Sequence, residues 1–305
     1  MIYTITLNPS IDFVVEVETL QLHQVNRMKK EQKYPGGKGI NVARVLHRLG
    51  AETTALGFVG GFTGRFIEEA LRQEGIPARW IRVNEDTRIN IKLKTGANEE
   101  TEINGQGPSI PPEAFQQLNE QLEQVRPGDT VVMSGSIPPS LSPSVYEEWT
   151  AILGARGVRV AVDVAGPALK RAANRPVFLL KPNHHELGQL YGVRLNTMEE
   201  VVVYGRKLQQ AGAAHVIVSM AGQGALLFTE DATYRSTVPK GTVVHPVGAG
   251  DSMVAAFLAD YEKTNDAVSA FKTAVAAGSA TAFSPDLCTK EQVEQLRQEI
   301  DIEAL

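Results

Sequence analysis

Four short segments of this 305-residue chain combine residue types that could do chemistry. The first is Tyr34-Pro-Gly-Gly-Lys-Gly-Ile-Asn41, which runs straight into an apolar helical pattern. Its glycines let a backbone approach a ligand closely. The free N–H groups of a helix start attract an anion, and Lys38 adds a full positive charge. It is not a Walker-type phosphate loop, because Gly39 and not Ser or Thr follows the lysine. A plain strand-to-helix turn would use the same glycines. The second segment is Val247-Gly-Ala-Gly-Asp-Ser252, ahead of another apolar helix. Gly248, Ala249 and Gly250 could turn their N–H groups inward as a nest for developing negative charge. Asp251 sits where an N-cap is expected. The same carboxylate could also accept a proton from an attacking hydroxyl.

The third segment, Lys181-Pro-Asn-His-His-Glu186, follows the strand-like run Val177–Leu180. Asn183 and Glu186 are three apart and share a face if the segment is helical. That pair suits Mg²⁺ held by Glu186 through water, since Mg²⁺ prefers oxygen ligands and keeps its own waters. It equally suits a capping box. His184 and His185 are adjacent, which argues against two zinc ligands on one helical face. The fourth segment is Ser219-Met-Ala-Gly-Gln-Gly-Ala225, a turn between apolar strands. It is a hairpin, or a loop whose hydroxyl at Ser219 and glycines Gly222 and Gly224 touch a nucleotide phosphate. A strand at Thr87–Leu93 adds a further pattern. Ile89, Ile91 and Leu93 alternate with Arg88, Asn90 and Lys92, so one face is apolar and the other carries two cations and an amide. The plainer reading is an amphipathic strand with a solvated outer face. Neither G-x-G-x-x-G nor H-E-x-x-H occurs, which excludes a dinucleotide fingerprint and a zincin.

The elements that must position these segments alternate. Strands are expected at Ile2–Leu7, Thr53–Phe58, Thr130–Met133, Val158–Val162, Val177–Leu180 and Val216–Ser219. Helices are expected at Gly39–Leu49, Gly64–Glu74, from Pro111 to about Val125, at Val201–Gln210, and through most of the last third. Ser142 is expected to cap a helix that reaches Leu153, with Pro143 in its first turn. The alternation predicts an α/β fold, a mostly parallel sheet covered on both faces, with ligands beyond the carboxyl ends of its strands. Two segments, Phe13–Lys33 and Thr87–Asn104, are strand-like without a helix between their parts. They predict a small β lid on an otherwise single domain spanning 1–305. So small a sheet cannot easily bury the face of Ile89, Ile91 and Leu93 alone, which predicts a homodimer joined through the lids.

Composition narrows the class. Hydrophobic residues make up 43% and charged residues 21%, which excludes a disordered chain, a collagen-like fibre and a coiled coil. With 30 Lys+Arg against 35 Asp+Glu, the net charge is −5, so no basic footprint for nucleic acid is expected. Cys288 is the only cysteine, so a multi-cysteine metal site is excluded and a reducing, cytoplasmic setting is expected. The N-terminus does not read as a signal peptide. No run of about 20 apolar residues is present, so no membrane span is expected. An enzyme is the expected class.

Each motif is weak alone, but their order is not. Gly36-Gly-Lys-Gly-Ile-Asn-Val-Ala-Arg44, Lys181-Pro-Asn-x-x-Glu186 and Gly248-Ala-Gly-Asp251 together resemble the ribokinase-like, or phosphofructokinase-B, family of sugar kinases. Thr6-Leu-Asn-Pro-Ser-Ile-Asp12, Thr87-Arg-Ile-Asn-Ile-Lys92 and Ser134-Gly-Ser-Ile-Pro-Pro139 look like its branch acting on phosphorylated ketohexoses. That branch includes 1-phosphofructokinase and tagatose-6-phosphate kinase. The resemblance implies a three-layer α/β/α fold with a β lid, and ATP with Mg²⁺. It also implies phosphorylation of D-fructose 1-phosphate to fructose 1,6-bisphosphate, with tagatose 6-phosphate as the alternative substrate. It implies that Asp12, Gly37 and Asn41 hold sugar hydroxyls. Lys38, Arg88, Asn90 and Ser136 would hold the substrate's phosphate, with Lys92 and Arg27 as further candidates. Asn183, Glu186, Ser219, Gly222, Gly224 and Gly250 would serve the nucleotide and its Mg²⁺. Gly248, Ala249 and Gly250 would form the anion hole, and Asp251 the base. The chain departs from the pattern at Pro139-Ser140, at Ala165, where a hydroxyl is usual, and at His245-Pro-Val247. A non-catalytic sugar-phosphate-binding regulator would have no need of Asp251. A plain nucleotide-binding module would have no need of the cationic strand.

Overall fold

The computed structural model describes residues 1–96, 100–244 and 246–305. Residues 97–99 of the second lid segment, and His245, lie outside that set. In chain order the first elements are β1 (Ile2–Thr6), β2 (Ser10–Glu16), β3 (Lys30–Gly36) and α1 (Lys38–Arg48). Next come β4 (Thr53–Gly60), α2 (Gly61–Gln73), β5 (Ala78–Val83), β6 (Arg88–Lys94), β7 (Glu100–Asn104) and α3 (Pro112–Glu123). The middle holds β8 (Thr130–Ser134), α4 (Val145–Ala155), β9 (Arg159–Asp163), α5 (Gly166–Ala172) and β10 (Val177–Leu180). Then follow α6 (His184–Tyr191), α7 (Met198–Gln210), β11 (Ala213–Ser219), β12 (Ala225–Phe228) and β13 (Thr233–Ser236). The chain closes with α8 (Ala249–Thr264), α9 (Ala267–Ala282), α10 (Lys290–Arg297) and β14 (Ile302–Ala304).

Ten strands form one sheet in the order β14-β13-β12-β11-β10-β9-β8-β1-β4-β5. The run from β11 to β5 is parallel, and β12, β13 and β14 are added antiparallel at one edge. The central strands are apolar on both faces because helices cover both. Helices α3 to α7 pack one face around Phe58, Met133, Trp149 and Val216. Helices α1, α8, α9 and α10 pack the other around Leu46, Val132, Phe257 and Phe271. The expected three-layer fold is therefore present.

The residues that break the alternation form a second sheet, ordered β3-β2-β6-β7. It reaches further than expected, from Ser10 to Gly36 in its first segment. Register pairs Asp12 with Asn90 and Val14 with Lys92, so the polar residues of β2 and β6 share one face. The opposite face is partly closed within the sheet itself: Leu93 is buried with Val15 and Val17, and Phe13 and Ile91 pack against them.

One expectation fails. Helix α4 starts at Val145, not at Ser142 or Pro143, and Ser144 at its N-cap position makes no capping bond. The Val145 N–H instead donates to Ser142 O at 3.1 Å. This closes a turn with proline at its second position, a place that suits its fixed φ.

Candidate active site

The carboxyl ends of β1, β8, β9, β10 and β11 open into one cavity of about 1200 Å³ that the polar face of the small sheet roofs. Every residue singled out above as catalytic, sugar-binding or nucleotide-binding lines it. Arg27 does not; it lies exposed in the segment between β2 and β3.

At the roof, Asp12 is held on both oxygens. Its Oδ1 accepts from Ser10 Oγ at 2.8 Å and from Asn90 Nδ2 at 3.3 Å, and Oδ2 lies 3.6 Å from Lys92 Nζ. Lys92 is buried against Asp12 at the cavity wall and helps orient that carboxylate. Arg88 spans the junction between the sheets. Its Nη1 donates to Gly105 O at 3.1 Å and its Nη2 to Asn8 O at 3.0 Å, with Ser136 Oγ 3.4 Å away. Its Nε is buried without a partner among the described residues. The Nη2 end of this guanidinium and the Ser136 hydroxyl stand side by side on the cavity wall, an arrangement that suits an anion contacting both.

Below, two helix starts meet. Gly37 precedes α1 with φ of 115°, which favours glycine. Gly248 precedes α8 with φ of 82°. Asp251 is therefore the third residue of α8 and not its cap. Gly248 takes the cap position with a left-handed backbone, and no side chain caps the helix. The Ala249 N–H already reaches Pro246 O at 3.3 Å. The next amides, of Gly250 and Asp251, belong to the first turn, where a helix supplies no acceptor. Asp251 Oδ2 accepts from Asn41 Nδ2 at 2.8 Å, which ties α8 to α1.

A buried charge cluster underlies this turn. Asp163 is fully buried at the end of β9, with Oδ1 3.3 Å from Lys38 Nζ and 3.4 Å from Lys181 Nζ. Burial alone would raise its pKa, but the two lysines outweigh it and hold the carboxyl below its usual range. Lys38 is pushed up, first by Asp163 and then by Asp251 and Glu186, against the effect of burial. Asp251 is raised to about 6, mainly by burial and then by the Asp163 charge, with Lys38, Asn41 and Lys181 opposing. A carboxylate with a pKa near 6 is a better proton acceptor than an ordinary aspartate. Lys181 packs under the turn: a Cβ on Gly250 would come within 2.9 Å of its Nζ. Sequence reasoning assigned Asp163 and Lys181 no role, although both stand at strand ends on the ligand edge.

At the far end, Asn183 and Glu186 form the capping box of α6. The Glu186 N–H donates to Asn183 Oδ1, and the Asn183 N–H donates to Glu186 Oε2, both at 2.8 Å. Gly224 has φ of 93°, and the space beside Gly222 is open. Val238, Val243, Val275 and Phe283 add an apolar slot that sequence reasoning missed. Val238 and Val243 come from a loop without periodicity, and Val275 and Phe283 from α9 and its C-cap, so no local pattern marks them as one surface. Among the described residues, no three His, Cys, Asp or Glu side chains cluster as a complete metal site. One fixed carboxylate fits a Mg²⁺ that arrives with nucleotide phosphates and keeps its waters.

Comparison with known proteins agrees with this geometry. The family model for pfkB family carbohydrate kinases matches residues 4–293. The chain is 52% identical to 1-phosphofructokinase of Bacillus subtilis over 305 residues, all of both chains. It is 36% identical to D-tagatose-1-phosphate kinase of Bacillus licheniformis over 303 residues, 99% of each. Its fold matches phosphofructokinase-2 of Escherichia coli in complex with substrates and products, with a TM-score of 0.93, 30% identity and 98% of each chain covered. With its two glycine-led helix starts facing one cavity, this chain belongs to the pfkB family of carbohydrate kinases.

Proposed function

We propose that this chain transfers the γ-phosphoryl group of ATP to the C6 hydroxyl of D-fructose 1-phosphate, giving fructose 1,6-bisphosphate and ADP. The observation that carries this reading is the pairing, across one cavity, of Asp251 with the Arg88–Ser136 end. A ketohexose phosphate has the same polarity, with an anion at one end and a reacting hydroxyl at the other. Support for the substrate comes from the 52% identity to a 1-phosphofructokinase.

In this reading Arg88 and Ser136 take the C1 phosphate, with Asn90 beside them, and Asp12, Gly37 and Asn41 take ring hydroxyls. The C6 oxygen attacks the γ-phosphorus, the bond to the ADP oxygen breaks, and the hydroxyl proton passes to Asp251. The free amides of Gly250 and Asp251 and the ammonium groups of Lys38 and Lys181 face the charge spread over the transferred oxygens. Ser219, Gly222, Gly224 and Gly250 line the phosphates, Asn183 and Glu186 stand beside them, and the valine slot receives the base. Glu186 would hold Mg²⁺ through water, and the ion would supply neutralisation of the phosphate charge.

A second reading is favoured by the 36% identical tagatose-1-phosphate kinase. D-tagatose 1-phosphate also reacts at C6 and differs only at C4, whereas tagatose 6-phosphate carries its phosphate at the other end. A coupled ADP-release assay over fructose 1-phosphate, tagatose 1-phosphate, tagatose 6-phosphate and fructose 6-phosphate tests both. The highest kcat/KM is expected for fructose 1-phosphate. ATP binding without turnover of any of them would instead support a sugar-phosphate-binding regulator.

The outer face of the small sheet supports a homodimer joined through the lids. Ile89 and Ile103 remain 40% and 58% exposed there, and Leu22 and Val25 stand out from the adjoining loop. A second copy of this face is the self-complementary occupant. The single thiol, Cys288, is fully buried and has no second cysteine in the chain to pair with, in keeping with a cytoplasmic setting.

A further inference from the structure

Asn41, Arg44 and Arg48 are three and four residues apart, so they form one stripe along α1. Asn41 at the top of the stripe holds Asp251. One turn on, Arg44 is only 5% exposed. Its Nε donates to Glu74 Oε1 at 2.7 Å, and its Nη1 and Nη2 donate to the two oxygens of Asp286 at 3.1 and 2.8 Å. Arg48 joins from the next turn, with Nη2 2.9 Å from Asp286 Oδ2 and Nη1 2.5 Å from Leu287 O.

Asp286 belongs to the segment between α9 and α10. That segment supports the turn that opens α8. Leu287 is buried beneath Gly248: a Cβ there would lie 2.6 Å from Leu287 Cδ2, with Asn41 Nδ2 3.7 Å and Thr281 Cγ2 3.8 Å away. The Cys288 N–H donates to Thr281 Oγ1 at 3.0 Å, and that hydroxyl is 2.7 Å from Ser252 Oγ, next to Asp251. The stripe on α1 therefore holds Asp251 directly, and through Asp286 it holds the segment that carries the turn. Neither Arg44 nor Asp286 lines the cavity.

Arg44 is buried while Asp286 keeps 34% of its side chain exposed, so desolvation of the guanidinium offsets much of the pair's attraction. What the pair adds is geometry: two parallel bonds in a fixed plane resist sliding where an apolar contact would not. We propose that the Arg44–Asp286 pair is a positioning device. It fixes the anion-hole turn at 248–251 relative to the sugar-binding end of α1. Taking the kinase reading as given, it sets the distance between the acceptor hydroxyl and the phosphoryl group. Phosphoryl transfer depends on such placement, and a misplacement of about 1 Å can cost ~10²-fold in rate.

The test compares Asp286→Asn, Asp286→Glu and the apolar double variant Arg44→Met/Asp286→Leu with the wild-type chain. In Asp286→Asn, kcat is expected to fall about 10- to 100-fold while the KM of each substrate stays within about threefold. Asp286→Glu is expected to restore part of that loss. The double variant is expected to melt close to wild type and still keep the low kcat, which separates placement from stability. Amide hydrogen exchange of Ala249 and Ser252, whose N–H groups are bonded to Pro246 O and Gly248 O, read without substrate, is expected to speed up in Asp286→Asn and in the double variant. A folded Asp286→Asn protein with unchanged kcat and unchanged exchange there would overturn the proposal. So would a double variant that recovers wild-type kcat. A wild-type chain inactive on every sugar phosphate would count against the kinase reading alone, and the exchange measurement would still decide the clamp.

Discussion

At the scale of single residues, Asp251 separates a chemical role from a structural one. It does not cap α8, so Asp251→Asn removes no cap. An amide oxygen still accepts the bond from Asn41 Nδ2. The fold should survive while kcat drops by roughly 10²-fold or more, with both KM values little changed. The raised pKa adds a pH signature. Wild-type kcat/KM should climb as pH rises through about 6 and the base ionises, and the variant should lose that limb. Stability moves the other way. The folded state binds the Asp251 proton more tightly than the unfolded chain, whose carboxyl has the ordinary value of 3.8. This contribution is fully present below pH 3.8 and is lost as pH rises through about 6. At pH 7, Asp251→Asn should therefore be more stable than wild type by about 1–3 kcal/mol in thermal or denaturant unfolding. Arg88 is the second test. If it binds the substrate's phosphate, Arg88→Ala should lower kcat/KM for the sugar phosphate by about 2–4 kcal/mol. The KM for ATP should hardly change. A rise confined to the ATP KM would reassign the strand.

At the scale of elements, the two glycine-rich turns respond differently to one added methyl. Gly248 has φ of 82°, and a Cβ would lie 2.6 Å from Leu287 Cδ2. Gly248→Ala should cost about 1–3 kcal/mol of stability from strain and overpacking, and kcat should fall with it. Gly222 has nothing within 4 Å of the same position. Gly222→Ala should melt like wild type and raise the KM for ATP, because its methyl enters only the cavity. Equal losses of stability at the two sites would contradict this. The capping boxes of α6, α7 and α10 were written locally, as Asn183–Glu186, Thr197–Glu200 and Thr289–Gln292, and all three formed. Ser142 failed as a cap because the Pro143 after it made a better turn than a helix start.

At the scale of the whole molecule, the small sheet presents its polar face to the cavity and its apolar face to the surface. In the proposed dimer the second face is the one that assembles. Light scattering at micromolar concentration should give twice the chain mass. Ile89→Lys combined with Ile103→Lys should shift it toward the monomer, since both side chains are exposed and their substitution leaves the small sheet's own apolar cluster intact. A monomeric mass for the wild-type chain would remove the dimer.

The alternation of strands and helices, the ligand edge of the sheet and the order of the glycine motifs were legible in the sequence. Each is set by neighbours a few residues apart: period, caps and turn residues. Every predicted site residue except Arg27 lines the cavity, with Lys38 drawn to Asp163. What the sequence could not show were the pairings across long separations. Lys92 turned to Asp12 because register placed them on one face. Asp163 gathered Lys38 and Lys181 from two other elements. Arg44 found Asp286 across 242 positions of chain. Local propensity carries no term for such partners. Charge, burial and pKa at the site arise only when the sheet brings distant strand ends together, so those features belong to the tertiary structure.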